Sequence, residues 1–124
     1  MGMGGGETEV SEAFRQLLVD EPESVMFEDT VGAIAEGFNY TPKRFVNGVT
    51  SSDAGVNEGS CKVFSLGNIA GLSESETLAC FGEHYRSVVA DPSGDSHGNI
   101  RAFMESGWEG VSFPDGLALS PKDG

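Results

Sequence analysis

The run LSESETLACFGEHY, Leu72–Tyr85, carries the clearest helix signal in this chain of 124 residues. Ser73 and Glu76 stand three residues apart directly behind Leu72, which is the capping-box pattern of a helix N-terminus. Apolar residues then recur at helical spacing, which predicts one long amphipathic helix on which the other elements pack. Its apolar face consists of Leu78, Phe81, Tyr85, Val88 and Val89.

Three other stretches have strand character. Ser60–Leu66 combines β-branched and aromatic residues and predicts a strand directly upstream of the long helix. Arg44–Gly48 predicts a strand that runs into a turn, and the small polar residues 49–59 predict a loop. Val111–Leu119 alternates apolar residues on either side of Pro114-Asp115-Gly116, which is a weak hairpin signal.

Three shorter helices are predicted, each from an apolar stripe at helical spacing behind a small polar capping residue. Their stripes are Val10, Phe14, Leu17 and Leu18; Val31, Ile34, Ala35 and Phe38; and Ile100, Phe103 and Met104. Their candidate caps are, in the same order, Thr8 or Ser11, Asp29 or Thr30, and Asp95 or Ser96. Gly107 is expected to end the last helix, and Asp91–Gly94 has the residues of a type I turn ahead of it.

Helices outnumber strands along the chain and the two are interspersed, which favours an α+β fold. We expect a single small domain with several helices packed on a short, largely antiparallel sheet, because a chain of this length supports one core. We assign residues 1–8 to a flexible leader, 9–120 to the domain and 121–124 to a flexible tail.

The formal net charge of −13 is the most unusual global property of the sequence. Seven Lys and Arg residues are few for phosphate contacts, which argues against nucleic-acid binding. The charge also opposes binding to anionic membranes, and no apolar run is long enough to insert across a bilayer. Seven acids and one base, Arg15, occupy the first 28 residues, which indicates a solvated face or a docking surface for a basic partner protein.

Cys80 and His84 lie four residues apart on the predicted long helix, which places them on one face. With Cys61 and His97 they form the weak alternative of a four-ligand zinc site. The sequence has no CxxC or HxxxH pair, so we predict no metal and no other cofactor. We interpret Cys80 as a small packed residue and His84 as a surface residue.

Cys61 is followed by Lys62, and a neighbouring cation can activate a thiol as a nucleophile. In a strand the two side chains point to opposite faces, so we interpret Cys61 as a buried core thiol, and a Cys61–Cys80 disulfide stays open. Gly55–Lys62 superficially resembles a phosphate-binding loop, but it lacks the Walker spacing and we expect a strand after it. No catalytic residue is assigned.

Trp108 is the single tryptophan and stands between Gly107 and Gly110. Core packing is the commoner environment of a tryptophan, but large aromatic side chains also anchor ligands. We therefore state a pocket hypothesis alongside packing. The predicted lining of this pocket is Tyr40, Phe64, His97, Arg101 and Trp108.

Three stretches resemble the HopJ (HopPmaJ-type) type III effector family. They are FEDTVGAIAEGFNYTPKRFVNG (27–48), GSCKVFSLGNIAGLSESETLACFGEHYR (59–86) and HGNIRAFMESGW (97–108). The chain departs from a typical bacterial member at its Gly-rich, acidic leader and at Gly98, where the family usually has a bulkier polar residue. The resemblance implies a small single-domain protein without an agreed enzymatic activity or a fixed catalytic motif.

The resemblance and the charge together favour a soluble, non-enzymatic protein-binding factor with a basic partner. It would be an effector inside a host cell if the source is a pathogen that uses type III secretion. In any other source it would be an accessory or subunit protein of the cytoplasm or a plastid. The alternative is a small-molecule-binding or catalytic pocket that uses His97, Arg101 and Trp108.

Overall fold

Residues 11–122 are described by a computed structural model, and within them the chain forms six α-helices and five short strands. The helices are α1 Glu12–Asp20, α2 Phe27–Gly37, α3 Glu58–Ala70, α4 Glu74–Ala79, α5 Glu83–Ala90 and α6 Gly98–Ser106. The strands are β1 Phe38–Tyr40, β2 Phe45–Asn47, β3 Thr50–Ser52, β4 Val111–Ser112 and β5 Leu119–Pro121. Pro22–Ser24 and Gly107–Gly110 form 3₁₀ turns.

The strands form two small antiparallel sheets, and each sheet joins segments that are distant in sequence. β1 pairs with β5, with Phe38 opposite Pro121 and Tyr40 opposite Leu119. β2 lies between β3 and β4 in a three-stranded sheet. The predicted α+β fold, with helices packed on short antiparallel strands, is confirmed.

The hydrophobic core is built around α3. Residues 63–67 are consecutive on this helix and all are buried, so other elements surround it. The centroid of the Phe64 ring lies within 6.4 Å of the centroids of four other aromatic rings. These rings belong to Phe45, Phe81, Phe103 and Trp108.

The strand predicted over Ser60–Leu66 is wrong, because this run forms the middle of α3. A short apolar run suits a buried helix as well as a strand, and burial on all sides removes the periodicity that separates the two. Lys62 therefore follows Cys61 around a helix rather than along a strand. The loop predicted over 49–59 is also wrong in part, since it contains β3 and the start of α3.

The long helix predicted from Leu72 is two helices, α4 and α5. Its start is confirmed, because Ser73 Oγ accepts a hydrogen bond from Glu76 N at 3.1 Å and Glu76 Oε1 accepts one from Ser73 N at 2.9 Å. The helix breaks at Gly82, whose φ of 59° and ψ of −128° suit glycine. A Cβ at Gly82 would clash with the backbone nitrogen of Phe27, so the break lets α2 pack against the start of α5.

The shorter helices near the N-terminus are present, with changes at their ends. Ser11 caps α1 as predicted, because its Oγ accepts a hydrogen bond from Phe14 N at 3.2 Å. α2 begins earlier than predicted, at Phe27, and Asp29 lies in its first turn rather than at its cap. Phe38 is the first residue of β1 and not part of the helix, because the backbone becomes extended directly after α2.

The last helix, α6, ends at Gly107 as predicted. Its N-cap residue is His97, just after the two predicted candidates, and the turn ahead of it is confirmed by a hydrogen bond from Gly94 N to Asp91 O at 3.1 Å. The hairpin predicted over Val111–Leu119 is wrong. β4 pairs with β2 and β5 pairs with β1, so the segment between them crosses from one sheet to the other.

The C-terminal end of the described residues is paired with the rest of the fold. Pro121, which the sequence assigns to the tail, is part of β5, and Lys122 N donates to Gly37 O at 3.0 Å. The predicted leader, the candidate cap Thr8 and the stripe residue Val10 lie outside the described residues. No helix within residues 11–122 has the length and hydropathy needed to cross a bilayer.

Candidate functional site

A cavity of about 270 Å³ opens where the starts of α2, α3 and α6 meet the junction between α4 and α5. Its apolar wall is formed by Phe27, Phe81 and Ile100. The remaining lining residues are polar or glycine, and they include both histidines of the chain. They are Asn57, Gly59, Ser60, His84, His97, Gly98 and Asn99. We call this space the histidine cavity.

The two imidazole rings lie side by side. The ring centroids of His84 and His97 are 5.1 Å apart, with an angle of 41° between the ring planes. Phe27 makes an edge contact with His84, with 5.1 Å between centroids. His84 is half-buried and His97 is exposed, so one imidazole lies inside the cavity and the other at its mouth.

A hydrogen bond next to His84 joins α5 to the start of α2. Glu83 Oε1 accepts from Phe27 N at 2.8 Å, and this bond lowers the pKa of the Glu83 carboxyl. The carboxylate thereby satisfies one of the amides that have no partner within the first turn of α2. Phe27 thus contacts α5 twice, through its backbone nitrogen at Glu83 and through its ring at His84.

Two residues of the cavity have left-handed backbones that non-glycine residues rarely adopt. Asn57 and His97 both have φ of 54°, and among residues 11–122 they are the non-glycine residues with positive φ. Each such conformation costs about 1 kcal/mol or more, and strain of this kind concentrates at functional sites. Asn57 Nδ2 donates to Ser52 Oγ at 2.9 Å, which helps to hold its conformation.

Both strained residues directly precede a helix, and the starts of these helices, α3 and α6, have no side-chain cap. The first amides of a helix have no partners within it and carry the positive end of the helix dipole. Gly59 and Gly98, in these first turns, expose backbone to the cavity, and a Cβ at Gly98 would meet open space. The cavity therefore offers hydrogen-bond donors as well as imidazoles.

The expectation of a strand after Gly55–Lys62 is wrong, because α3 begins at Glu58 inside this run. The Walker spacing is absent from the sequence, so the run is still not a nucleotide-binding loop. Three of its residues, Asn57, Gly59 and Ser60, instead line the histidine cavity.

Of the five residues predicted to line a pocket, His97 lines the histidine cavity. Phe64 is fully buried in the core. Trp108 Nε1 donates to Leu72 O at 3.1 Å, and its ring lies so close to Gly67 that a Cβ there would meet it at 2.7 Å. Trp108 is therefore a packing residue in this structure.

The other two predicted lining residues lie apart from the histidine cavity. Arg101 Nε donates to Ser96 O, and its side chain borders a separate hollow with Met104. Tyr40 OH donates to Glu58 Oε2 at 3.0 Å. The structure thus places Tyr40, Arg101 and His97 at three different positions.

The two cysteines are free, buried thiols, so the open question of a disulfide is answered. Cys61 Sγ donates to Lys43 O at 3.4 Å. Burial raises the pKa of the Cys61 thiol and raises that of Cys80 to about 12. Of the four residues of the zinc alternative, His84 and His97 lie together. Among residues 11–122, no three His, Cys, Asp or Glu side chains are placed to hold a metal ion.

Residues 11–119 match the profile of the family described as HopJ type III effector protein. The chain belongs to this family. The solved structures include one similar protein, the crystal structure of the unknown function protein VPA0580, with a TM-score of 0.87 and 41% sequence identity. The match covers 97% of this chain and 100% of that chain. A comparison with curated proteins gives no match.

In this HopJ-family chain, Asn57 and Asn99 are cavity residues that sequence reasoning missed, and His84 was named beside His97 only in the zinc alternative. The two histidines come from two different family stretches, EHYR at 83–86 and HGNIR at 97–101, and only the tertiary fold brings them together. A Cβ at Gly98 would meet no atom within 4 Å, so the structure has room for a larger residue at this position of the cavity lining.

Proposed function

We propose that this HopJ-family chain is a non-enzymatic binding protein and that the histidine cavity is its ligand site. One observation carries the proposal. Both histidines of the chain and both left-handed non-glycine residues of the described part line this one cavity. The two thiols are buried outside it, so the proposal assigns no catalytic residue.

The lining supports a small ligand that has an apolar ring and an anionic group. Phe27 and Phe81 offer aromatic surface to a ring. The imidazoles and the uncapped starts of α3 and α6 offer hydrogen-bond donors to a carboxylate. Benzoate combines both features and is small enough for a cavity of about 270 Å³.

Calorimetric titration of the full chain with benzoate tests this function. Gly98→Trp places a large ring at the lining of the cavity, where a Cβ would meet no atom within 4 Å and the backbone is not left-handed. Gly98→Ala is the matched control, since it adds one methyl group at the same position. We expect Gly98→Trp to abolish binding, His84→Ala to weaken it about tenfold, and Gly98→Ala to leave it unchanged. Equal affinity in all three variants would contradict the proposal.

We propose as a second function the binding of a partner protein with a basic surface, supported by the seven acids and one base in the first 28 residues. If the source is a pathogen that uses type III secretion, the partner belongs to a host cell. In any other source it belongs to the cytoplasm or a plastid. Affinity for a Lys-rich peptide should fall steeply with added NaCl, and salt-independent binding would contradict this second function.

A further inference from the structure

A second hollow lies between α1 and α2 and shares no lining residue with the histidine cavity. It has a volume of about 340 Å³, and we call it the α1–α2 groove. Its apolar lining includes Phe14, Leu17 and Ala33, and the small residues Ala13 and Gly32 border it. A Cβ at Gly32 would meet nothing within 4 Å, so the groove is open along the middle of α2.

Three acids, Glu28, Asp29 and Glu36, line the α2 side of the groove. Asp29 Oδ2 accepts a hydrogen bond from Met26 N at 2.9 Å and so stabilises the helix start. The side chains of Glu28 and Glu36 are exposed and make no hydrogen bond or ion pair with another residue in the range 11–122. Glu28 and Glu36 stand four residues before and after Gly32, so all three residues lie on one face of α2. The two acids are roughly 12 Å apart along the helix axis.

The charge along the groove is not balanced by its lining, which contains no Lys or Arg. Arg15, the base of α1, is not among the lining residues, and its Nη2 donates to Ala70 O at 3.4 Å. The groove therefore combines an apolar floor with a negative potential above it.

We infer that the α1–α2 groove docks an amphipathic helix of a partner protein. The apolar stripe of that helix would lie on Phe14, Leu17 and Ala33, while its Lys or Arg residues pair with Glu28 and Glu36. This inference rests on the second function proposed above and names the surface that performs it. Charge complementarity selects the occupant. A second copy of this chain and its own residues 1–10, which carry Glu7 and Glu9, have the same sign of charge as the groove.

The test uses two synthetic peptides of Leu and Lys, each about four helical turns long, with the same composition. One has Leu at helical spacing and the other is scrambled, so both carry the same charge and only one presents an apolar stripe. Affinities are measured by calorimetry on the full chain. We expect the patterned peptide to bind at least about tenfold more tightly than the scrambled one.

Gly32→Leu fills the groove, and Gly32→Ala is its matched control, because both remove the same glycine from the helix. We expect Gly32→Leu to remove the preference for the patterned peptide and Gly32→Ala to keep it. Ala13→Trp fills the groove from α1 and provides the same test if Gly32→Leu does not fold. Benzoate binding should be unchanged in all three variants, because the two sites share no residue.

Four results would overturn the inference. In the first, both peptides bind with equal affinity, and the double variant Glu28→Gln with Glu36→Gln lowers that affinity. This result would indicate a diffuse acidic surface and would leave the second function intact. If neither peptide binds, the result would contradict both the groove inference and the second function. Tighter binding only after deletion of residues 1–10 would identify that segment as the occupant. A concentration-dependent dimer that Gly32→Leu dissociates would identify a second copy of the chain.

Discussion

At the scale of single residues, His97 combines a strained backbone with a position at the mouth of the cavity. His97→Gly should raise the free energy of unfolding by about 0.5 kcal/mol, because glycine adopts φ of 54° without penalty and part of this gain is offset in the unfolded chain. The same variant should lose benzoate binding. Urea unfolding and calorimetry measure the two effects.

Asn57→Gly is the control for this prediction. It relieves the same backbone strain but also removes the hydrogen bond to Ser52, so its gain in stability should be smaller. A marked loss of stability in His97→Gly would show that the left-handed conformation is not strained. Retained benzoate binding would show that His97 does not belong to the site.

The buried thiol of Cys80 makes stability depend on alkaline pH. Burial raises its pKa from 9.0 to about 12, so the folded state holds the proton more tightly than the unfolded state. The resulting stabilisation is complete below pH 9 and is lost as the pH rises toward 12. Cys80→Ala should therefore lower the free energy of unfolding less at pH 10.5 than at pH 8, by about 2 kcal/mol, as measured by urea unfolding. If Cys80→Ala lowers the free energy of unfolding equally at both pH values, the raised pKa of Cys80 would be contradicted.

The sequence predicted individual site residues only in part. His97 was predicted to line a pocket, and the cavity contains it. The left-handed backbones of Asn57 and His97 could not be predicted, because they depend on how the chain enters α3 and α6. The pairing of His84 with His97 is likewise a tertiary contact, between residues 13 positions apart, one in α5 and the other at the N-cap of α6.

At the scale of elements, Gly82 separates α4 from α5. Gly82→Ala should lower the free energy of unfolding by about 3 kcal/mol, because φ of 59° disfavours a Cβ and the methyl group would clash with the backbone of Phe27. Gly32→Ala, in the open middle of α2, is the control and should raise it by up to about 1 kcal/mol. Similar effects of the two changes in thermal unfolding would contradict the packing described for Gly82.

Two helix starts, at Ser11 and Ser73, were predicted correctly, whereas the starts of α2, α3 and α6 were not. The capping box at Ser73 and Glu76 is a local signal and was confirmed. The break at Gly82 follows from contact with α2, which no local pattern contains. Ser60–Leu66 was predicted as a strand for a related reason, since a helix buried on all sides has no polar face to mark its period.

At the scale of the whole molecule, the net charge of −13 should oppose folding through self-repulsion. The structure shows an ion pair between Arg44 Nε and Asp115 Oδ2 at 3.0 Å, with both side chains 57% exposed, and such pairs contribute little. Raising NaCl from about 0.05 M to about 0.5 M should therefore increase the free energy of unfolding by about 1 kcal/mol.

Urea unfolding at the two salt concentrations measures this effect. Glu12→Gln with Glu36→Gln removes two exposed acids and should show a smaller increase with salt, which separates charge screening from other effects of NaCl. A fall in stability with salt would mean that attractive ion pairs dominate instead.

The measurement that most directly tests the central proposal is a backbone amide NMR titration of the full chain with benzoate. If the histidine cavity is the ligand site, the largest shifts should come from the amides of Gly59 and Gly98, which lie in the first turns of α3 and α6. The amides of Met104 and Glu105, which line the separate hollow and not the cavity, should not shift. Shifts confined to that hollow, or none at saturating benzoate, would contradict the assignment of the cavity.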